Sequence, residues 1–366
     1  MKLLHEVCDL IKTGKTPPTT VQEYFDGDLD WFTPGDFNGS KYLSSSTRKI
    51  SQKALDDKKA SLFPKDSILL NCIGDIGKVG IIKAEASSNQ QITCLKPKST
   101  LDVNYLYYWI VKNKPALENL SNSAVVPILN NKQLGSVQIP LPPLPTQKKI
   151  AAILDAADAH RQKTKQLLAK YDELAQSIFL EMFGDPVTNP KGWEKVKLGS
   201  ITNMKAGKFV PASEIFSNPN DNLYECYGGN GLRGYVNSHT HKGDFVLIGR
   251  QGALCGNVKI VSGVFHATEH AIVCSPKTEY ETMWLYFLLD FINLNKYATG
   301  AAQPGLNVGK LVEIEIILPP HDLQRQFVKS FNLIEVQQVQ SQQGLGQSEN
   351  LFNSLLQKAF KGELVK

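Results

Sequence analysis

Hydrophobic positions over residues 146–183 recur at alternating spacings of three and four, which is the period of one helix face. Thr146 can cap the start of such a helix, and Gly184 with Pro186 can end it. We place the start after the segment 142–145 because proline is excluded from helix interiors. The sequence predicts one long amphipathic helix with inward positions at Ile150, Ile153, Leu154, Ala157, Thr164, Leu168, Tyr171, Leu174, Ile178 and Met182.

A second stretch near the end of the chain follows the same pattern. Its inward positions are Phe327, Ser330, Phe331, Ile334, Ser341, Leu345, Leu351, Leu355 and Ala359. Gly344 and Gly346 lie inside it, and glycine costs a helix up to about 1 kcal/mol relative to alanine. We therefore expect a kink, a break or a close backbone approach there. Because both helices need a partner for their apolar stripes, we predict that they pair antiparallel as a coiled coil.

The chain before each helix has a different pattern, in which short apolar runs are separated by Gly, Asn and Asp. Such runs are typical of β-strands joined by turns. Short helices are expected over 104–112 and 282–294 within these β-rich stretches. The predicted strands fall at 66–72, 79–83 and 92–95 in the first half and at 244–248, 258–261 and 271–274 in the second.

The two halves of the chain also share sequence. The segment 139–143 reads Ile-Pro-Leu-Pro-Pro and matches Ile-Ile-Leu-Pro-Pro at 316–320. Gln147 and Gln324 follow these segments at the same distance. A match at one constant offset through several residue types indicates an internal duplication.

The duplication predicts an α+β fold, in which two β-rich domains are related by an inverted pseudo-two-fold axis and joined by two long antiparallel helices. We place the first domain at 1–140 and its helix at 141–184. The second domain is placed at 185–318 and its helix at 319–366. A length of 366 residues agrees with two domains of ordinary size.

Composition narrows the class of protein. Hydrophobic residues at 42% and charged residues at 20% are typical of a globular chain. The net charge of +5 permits nucleic-acid binding without requiring it. The 6 cysteines form no C-x-x-C pair and the start of the chain lacks a signal-peptide pattern, so we expect a reduced, cytoplasmic protein. No apolar run is long enough for a membrane span, and we expect no membrane association.

Glycine-rich segments occur in a fixed order within this duplicated frame. The first half contains Trp-Phe-Thr-Pro-Gly-Asp at 31–36 and Gly-Asp-Ile-Gly-Lys-Val-Gly at 74–80. The second half contains Tyr-Gly-Gly-Asn-Gly-Leu-Arg-Gly-Tyr at 227–235 and Ile-Gly-Arg-Gln-Gly at 248–252. Together with the Leu-Pro-Pro segment before each long helix, this order resembles the specificity subunit of type I restriction-modification systems over the whole chain.

The resemblance implies a non-catalytic subunit that binds double-stranded DNA. Each β-rich domain would be a target-recognition domain that reads one half of a split, asymmetric site, and the helices would act as a spacer. Two methyltransferase subunits would dock on this chain, and restriction subunits would join through them. The sequence has no [DNS]-P-P-[YFW] motif and no Walker A loop, so S-adenosylmethionine and ATP chemistry would lie on other chains. We expect no cofactor.

Polar side chains in or near these glycine-rich loops are the candidates for DNA contact. Arginine suits guanine or phosphate and an amide suits adenine, whereas the alternative for each is an ordinary loop residue or ion pair. The candidates in the first domain are Lys15, Thr16, Asn38, Lys41, Ser45, Arg48 and Lys78. Those in the second domain are Lys208, Tyr227, Asn230, Arg233, Arg250 and Gln251.

The segment 266–270 provides an alternative function, because it has the H-x-x-E-H spacing of one class of zinc proteases. A zinc-dependent hydrolase would use His266, Glu269 and His270. That chemistry needs both histidines on one helix face, whereas strands are predicted on either side, so we expect no metal. A third alternative is a duplicated coiled-coil scaffold that never contacts DNA. We expect the nearby His239 and His241 to be exposed to solvent.

Overall fold

The structure is a computed structural model that describes residues 1–121, 126–252, 254–300 and 304–365. It divides into two compact units. The first unit comprises Met1–Thr164 with Gly344–Lys366, and the second comprises Lys165–Gln343. Both boundaries fall inside a long helix, so each unit combines a β-rich segment with part of each long helix.

Short strands and helices alternate in the first unit. Its strands are β1 Lys2–Leu3, β2 Cys8–Thr13, β3 Leu29–Phe32, β4 Tyr42–Leu43, β5 Lys49–Ile50, β6 Ser67–Asn71, β7 Val79–Ile82, β8 Ser87–Ser88, β9 Ile92–Pro97 and β10 Gln138–Ile139. Its helices are α1 Leu4–Val7, α2 Gln52–Asp56, α3 Val103–Asn119, α4 Asn131–Gly135 and the first part of α5 Leu144–Phe183. The central sheet has the strand order β2-β9-β6-β7-β4, a smaller sheet has the order β5-β3-β8, and β1 pairs with β10.

The second unit has a similar arrangement. Its strands are β11 Lys195–Lys197, β12 Thr202–Ala206, β13 Tyr224–Gly228, β14 Gly231–Val236, β15 His241–Lys242, β16 Phe245–Gly249, β17 Val258–Val261, β18 Val264–Ala267, β19 Ala271–Pro276 and β20 Glu315–Ile317. Its helices are α6 Leu198–Ile201, α7 Thr282–Ile292, α8 Val308–Leu311 and the first part of α9 His321–Lys361. Its sheets have the orders β12-β19-β16-β17 and β14-β13-β18-β15, and β11 pairs with β20.

Local sequence explains the main elements. Strand β6 is buried along its whole length, which is why its sequence is a continuous run without polar alternation at its centre. Helix α3 begins at Asp102, whose carboxylate accepts hydrogen bonds from the N–H groups of Asn104 and Tyr105. The buried aromatic residues of α3 pack on β6, β7 and β9, so the helix covers one face of the central sheet.

The duplication seen in the sequence recurs as matching backbone contacts. The turn after β2 donates hydrogen bonds from Lys15 N to Ser88 O, and the turn after β12 donates from Lys208 N to Ala267 O, both at 2.9 Å. A Cβ atom on Gly14 would lie 2.3 Å from the Ser88 carbonyl oxygen, and one on Gly207 would lie 2.1 Å from that of Ala267. Both positions therefore require glycine, because two backbone segments approach each other closely there.

A buried glutamine connects each long helix to the domain before it. The side chain of Gln147 accepts a hydrogen bond from Asp102 N at 2.8 Å and donates to Pro142 O at 2.8 Å. Gln324 repeats this in the second unit, accepting from Glu281 N at 3.0 Å and donating to Pro319 O at 2.9 Å. The repeated Pro-Pro segment followed by glutamine is therefore a joint between the long helix and the start of α3 or α7.

Each unit uses both long helices to complete its core. The core of the first unit includes Ile150 and Leu154 from α5 and Phe352, Leu356 and Ala359 from α9. The core of the second unit includes Ala175, Phe179 and Phe183 from α5 and Phe327 and Ile334 from α9. In the second unit, contacts of Phe183 with Phe327 and of Asp172 with Gln338 show that the helices run antiparallel there.

Several details of the long helices differ from the prediction. Leu174 and Leu351 were predicted to face inward, but they are 45% and 57% exposed. Helix α5 begins at Leu144 rather than Thr146, because the first turn of a helix makes no use of the N–H that Pro145 lacks. Helix α9 continues without a break through Gly344 and Gly346, and a Cβ atom at either position would meet nothing within 4 Å. The expected break and the expected close approach were therefore both wrong.

Among the described residues, no helix is apolar and long enough to cross a bilayer.

Replacing Gln147 with alanine should destabilise the first unit, because a buried N–H group and buried carbonyl oxygens would lose their partners. We expect a loss of about 2 kcal/mol in the free energy of unfolding, measured by urea denaturation of the full chain. The matched control is Gln166→Ala, which removes an exposed glutamine from the same helix. Equal losses in the free energy of unfolding for the two variants would show that the Gln147 side chain does not stabilise the contact between α5 and α3.

Candidate nucleic-acid interface

Two adjoining clefts on the second unit bring together four of its six predicted site residues. The first cleft, of about 400 Å³, is lined by residues that include Asn230, Arg233, Gln251 and His270. The second, of about 390 Å³, is lined by residues that include Arg250 and Gln251. Gln251 belongs to both linings, so this residue lies where the two clefts meet.

Glycines allow the loops around these clefts to pack closely. A Cβ atom on Gly229 would lie 2.7 Å from the His270 carbonyl oxygen, and one on Gly249 would lie 2.6 Å from that of Gly229. Backbone hydrogen bonds hold the loop that follows β16, from Arg250 N to His270 O at 2.9 Å and from Leu306 N to Arg250 O at 2.8 Å. The loops after β13, β16 and β18 therefore form one connected surface.

The side chains in the clefts are mostly hydrogen-bond donors. Arg233 is exposed, and the half-buried Arg250 points one guanidinium nitrogen at Glu269 O, 3.4 Å away. The amide of Asn230 is exposed and accepts a hydrogen bond from Asn257 at 3.2 Å. Guanidinium and amide groups at open positions are the groups that read base edges or hold phosphates. His270, which contacts Glu269 at 3.0 Å, also lines the first cleft, and it was not among the residues predicted to contact DNA.

Two other predicted residues of the second unit lie outside the cleft linings. Lys208 is exposed on the turn after β12. Tyr227 is half-buried, packs edge-on against Phe265 and donates a hydrogen bond to Glu225 at 2.7 Å. Burial, followed by this hydrogen bond, raises the pKa of the Tyr227 phenol. The hydroxyl is therefore already engaged within the unit.

In the first unit, Lys15 and Thr16 are exposed on the turn after β2. The Lys15 ammonium donates to Lys58 O at 3.2 Å, and the Thr16 hydroxyl contacts the side chain of Gln90. Gln90 could not be predicted as a partner of Thr16, because it lies far from Thr16 in the chain and in a segment without glycine. Lys78, on the same unit, forms an ion pair with Asp75 at 3.2 Å.

The loop between β3 and β5 is ordered from within by two aspartates. Asp30 accepts hydrogen bonds from Ser46, and Asp36 accepts them from Thr33 and Thr47. Burial opposes ionisation of Asp36, but these hydrogen bonds outweigh it and lower the pKa of the carboxyl. The loop leaves Asn38 and Ser45 exposed at its surface.

Two predicted DNA-contact residues of the same segment make contacts within the protein, although Arg48 remains exposed. The Arg48 guanidinium lies 4.5 Å from the ring centroid of Phe25 and 5.1 Å from that of Trp31. Lys41 forms an ion pair with Asp155 of α5, and its side chain is only 8% exposed. Both cations are thus held by intramolecular contacts that the sequence did not indicate.

The segment 266–270 does not have the geometry of a zinc protease. His266 lies buried in strand β18, and its ring nitrogens are 3.2 Å from the carbonyl oxygens of Ser238 and Lys208. His270 follows in the turn before β19, so the two histidines do not share a helix face. No group of three potential metal ligands occurs among the residues that the structure describes.

The prediction of two exposed histidines nearby was correct for one of them. His239 is exposed. His241 is half-buried, because strand β15 stacks its ring on Phe265 at 5.5 Å and its Nδ1 contacts the Thr240 hydroxyl at 2.7 Å. The expectation of an exposed His241 was therefore wrong.

Two β-rich units, one of them with clefts lined by arginine and amide groups, fit a nucleic-acid-binding protein better than a metallohydrolase. Comparison with protein families agrees, since the model of the type I restriction modification DNA specificity domain matches residues 1–170 and 190–339. The chain belongs to the family of type I restriction-modification specificity subunits.

Relatives resemble the chain over most of its length. The specificity subunit of the type I restriction enzyme EcoprrI from Escherichia coli is 35% identical over 332 residues, covering 84% of this chain and 81% of the relative. That of MjaIX from Methanocaldococcus jannaschii is 27% identical over 398 residues, covering 96% and 90%. The crystal structure of the S subunit from M. genitalium shares the fold, with a TM-score of 0.62 at 18% identity over 98% of this chain and 95% of that one.

Acidification should destabilise the second unit through His241. Burial, then the neighbouring His266 and Lys208, lower its pKa from the ordinary 6.5. The unfolded chain therefore takes up a proton at higher pH than the folded chain, so stability is full above about pH 6.5 and falls as the pH drops through the folded pKa.

The variant His241→Gln keeps a polar group beside Thr240 and removes the titration. We expect its melting temperature to fall less than that of the wild type between about pH 7 and pH 5, measured by differential scanning calorimetry. The exposed His239→Gln serves as the control and should follow the wild type. If the melting temperatures of all three proteins depend on pH in the same way, His241 is not the cause of the loss of stability.

Proposed function

We propose that this chain is the non-catalytic DNA-reading subunit of a type I restriction-modification enzyme. Its β-rich domains over 1–140 and 185–318 each read one half of a split site on double-stranded DNA. The observation that carries the proposal is the duplicated backbone frame, in which matching glycine turns and glutamine joints support loops of different sequence. Because the two sets of loops differ, the two half-sites need not be palindromic.

The clefts of the second unit supply the chemistry for reading one half-site. Arg233 and Arg250 offer paired donors that suit guanine or a phosphate. Gln251 and Asn230 offer an amide donor and acceptor that suit adenine. The neighbouring glycines carry no side chains that would keep a DNA groove away from these groups.

The long helices serve as spacer and as docking surface. Helix α5 has 40 residues, which corresponds to about 60 Å, and α9 has 41. On α9, the side chains of Leu333, Val336 and Val339 are more than half exposed, which is unusual for apolar residues in a row along one helix. We assign such surfaces of the helices to the two methyltransferase subunits, with restriction subunits joining through them.

This division of labour agrees with the charge of the chain. A net charge of +5 is small for a protein that must hold DNA by itself, since phosphate contacts dominate DNA affinity. Partner subunits would make many of the contacts with the DNA phosphates, and they would also carry the S-adenosylmethionine and ATP chemistry.

Genome-wide methylation mapping tests the proposal. Deleting the gene should remove one methylated motif composed of two half-sites with an unread gap of fixed length, and restoring the gene should restore it. If no motif depends on the gene, the proposed function is wrong.

Within that experiment, Gln251→Ala should make one base position degenerate in one half-site only. Loss of a good amide–adenine pair corresponds to a loss of discrimination of about 5- to 150-fold at that position. The exposed Gln166→Ala on α5 is the control and should leave the motif intact. Degeneracy in both half-sites, or in neither, would show that Gln251 does not read a base in one half-site.

A further inference from the structure

Lys41 of the first unit forms a nearly buried polar joint with the long helix α5. Its side chain is 8% exposed and pairs with Asp155, whose side chain is 42% exposed. The hydroxyl of Tyr108 on α3 donates to the same carboxylate oxygen at 2.6 Å. The ammonium also lies 4.7 Å from the centroid of the Tyr108 ring. One lysine thus contacts both α3 and α5.

This joint holds the segment 33–48, which links β3 to β5 and carries the exposed Asn38 and Ser45. Lys41 comes directly before β4, which pairs in parallel with β7 at the edge of the central sheet. The Lys41 carbonyl accepts a hydrogen bond from Ile81 N at 2.8 Å. The backbone of Lys41 is therefore fixed to the sheet while its side chain is fixed to α5.

Among the residues of the second unit that the structure describes, there is no equivalent joint. The positions that correspond to Tyr108 and Asp155 are occupied by Phe287 and Asn332. Phe287 packs instead against the rings of Phe327 and Phe331. In the described part of that unit, the sheet containing β16 ends at β17, with no strand in the place of β4. Within the described residues, the polar joint therefore occurs in the first unit, whose central sheet has a fifth strand.

The energetics favour an orienting role over a stabilising one. Burial lowers the pKa of Lys41, although the hydrogen bond to Asp155 favours the charged form. Desolvation of a buried ion pair offsets most of its Coulombic gain, so apolar residues of similar volume often replace such a pair without loss of stability. A charge-assisted hydrogen bond nevertheless has a narrow preferred geometry, which an apolar contact lacks.

We propose that Lys41 is a positioning residue that fixes the segment 33–48 against α5 and thereby sets how the first domain meets its half of the DNA site. This inference rests on the proposed function. Lys41 then acts indirectly, by holding the segment in place, rather than by contacting DNA itself.

The variant Lys41→Met tests this role, because it keeps the length and packing of the side chain and removes the charge. Asp155 stays hydrogen-bonded to Tyr108 and open to water, so the melting temperature should stay within about 3 °C of the wild type. Methylation mapping should show discrimination reduced about tenfold in one half-site, with the other half-site unchanged. That half-site should be the one that Gln251→Ala leaves intact.

Two further variants make the test decisive. The double variant Lys41→Met with Asp155→Asn removes both charges and keeps an amide oxygen as acceptor for the Tyr108 hydroxyl, so its melting temperature should match that of Lys41→Met and it should show the same degeneracy. The exposed Lys59→Met of the same unit is the charge-matched control and should read both half-sites normally.

Two outcomes would overturn the inference. The first is an unchanged motif in Lys41→Met and in the double variant, which would show that the joint does not orient the segment. The second is a lowered melting temperature with equal loss at both half-sites, which would show a purely structural role. If even the wild-type chain directs no motif, the proposed function fails, and this result is distinct from both.

Discussion

The structure depends on one packing constraint, which is that neither unit can complete its hydrophobic core without residues from both long helices. Phe352 and Leu356 lie near the end of the chain, yet they pack in the core of the first unit with α3. In the second unit, Phe179 of α5 and Phe327 of α9 pack on Phe287 of α7. Helices this polar would gain little from each other alone, so their stability comes from the domains that they serve. The domains in turn are incomplete without the helices.

The joints between domain and helix show how such a frame can be kept while the reading loops differ. Gln147 and Gln324 are buried and make the same hydrogen bonds to backbone groups, so they place no demand on the side chains around the reading surface. The glycines at 14 and 207 likewise fix the approach of two backbone segments. Variation is concentrated elsewhere, as in the Lys41 joint and the fifth strand of the first unit. The two units thus share buried packing and hydrogen bonds to the backbone, whereas the proposed specificity depends on the side chains of the loops.

Sequence periodicity was sufficient for the long helices, the duplication and the β-rich character of both domains, because these depend on local patterns repeated over many residues. It failed at the start of α5, where the first turn tolerates proline, and at Gly344, where a helix with open space around it tolerates glycine. The site residues were harder to predict. Arg250 and Gln251 were predicted from the glycines beside them, and both line the clefts, whereas their contact with DNA stays a prediction. The internal partners of Lys41 and Arg48 are distant in sequence. Only the folded chain shows that Asp155 pairs with Lys41 and that the Phe25 ring lies beside the Arg48 guanidinium.

The shared core is tested most directly by amide hydrogen exchange of the variant Phe352→Ala, with the exposed Leu351→Ala as its control. Removing a buried phenylalanine costs a core about 3–5 kcal/mol. We expect faster exchange than in the control throughout α3 and the part of α5 before Thr164, far from the substitution in sequence. Exchange in α7 and in strand β16 of the second unit should be unchanged. Faster exchange confined to α9, or equal acceleration in both units, would contradict the claim that each unit is completed by its own share of both helices.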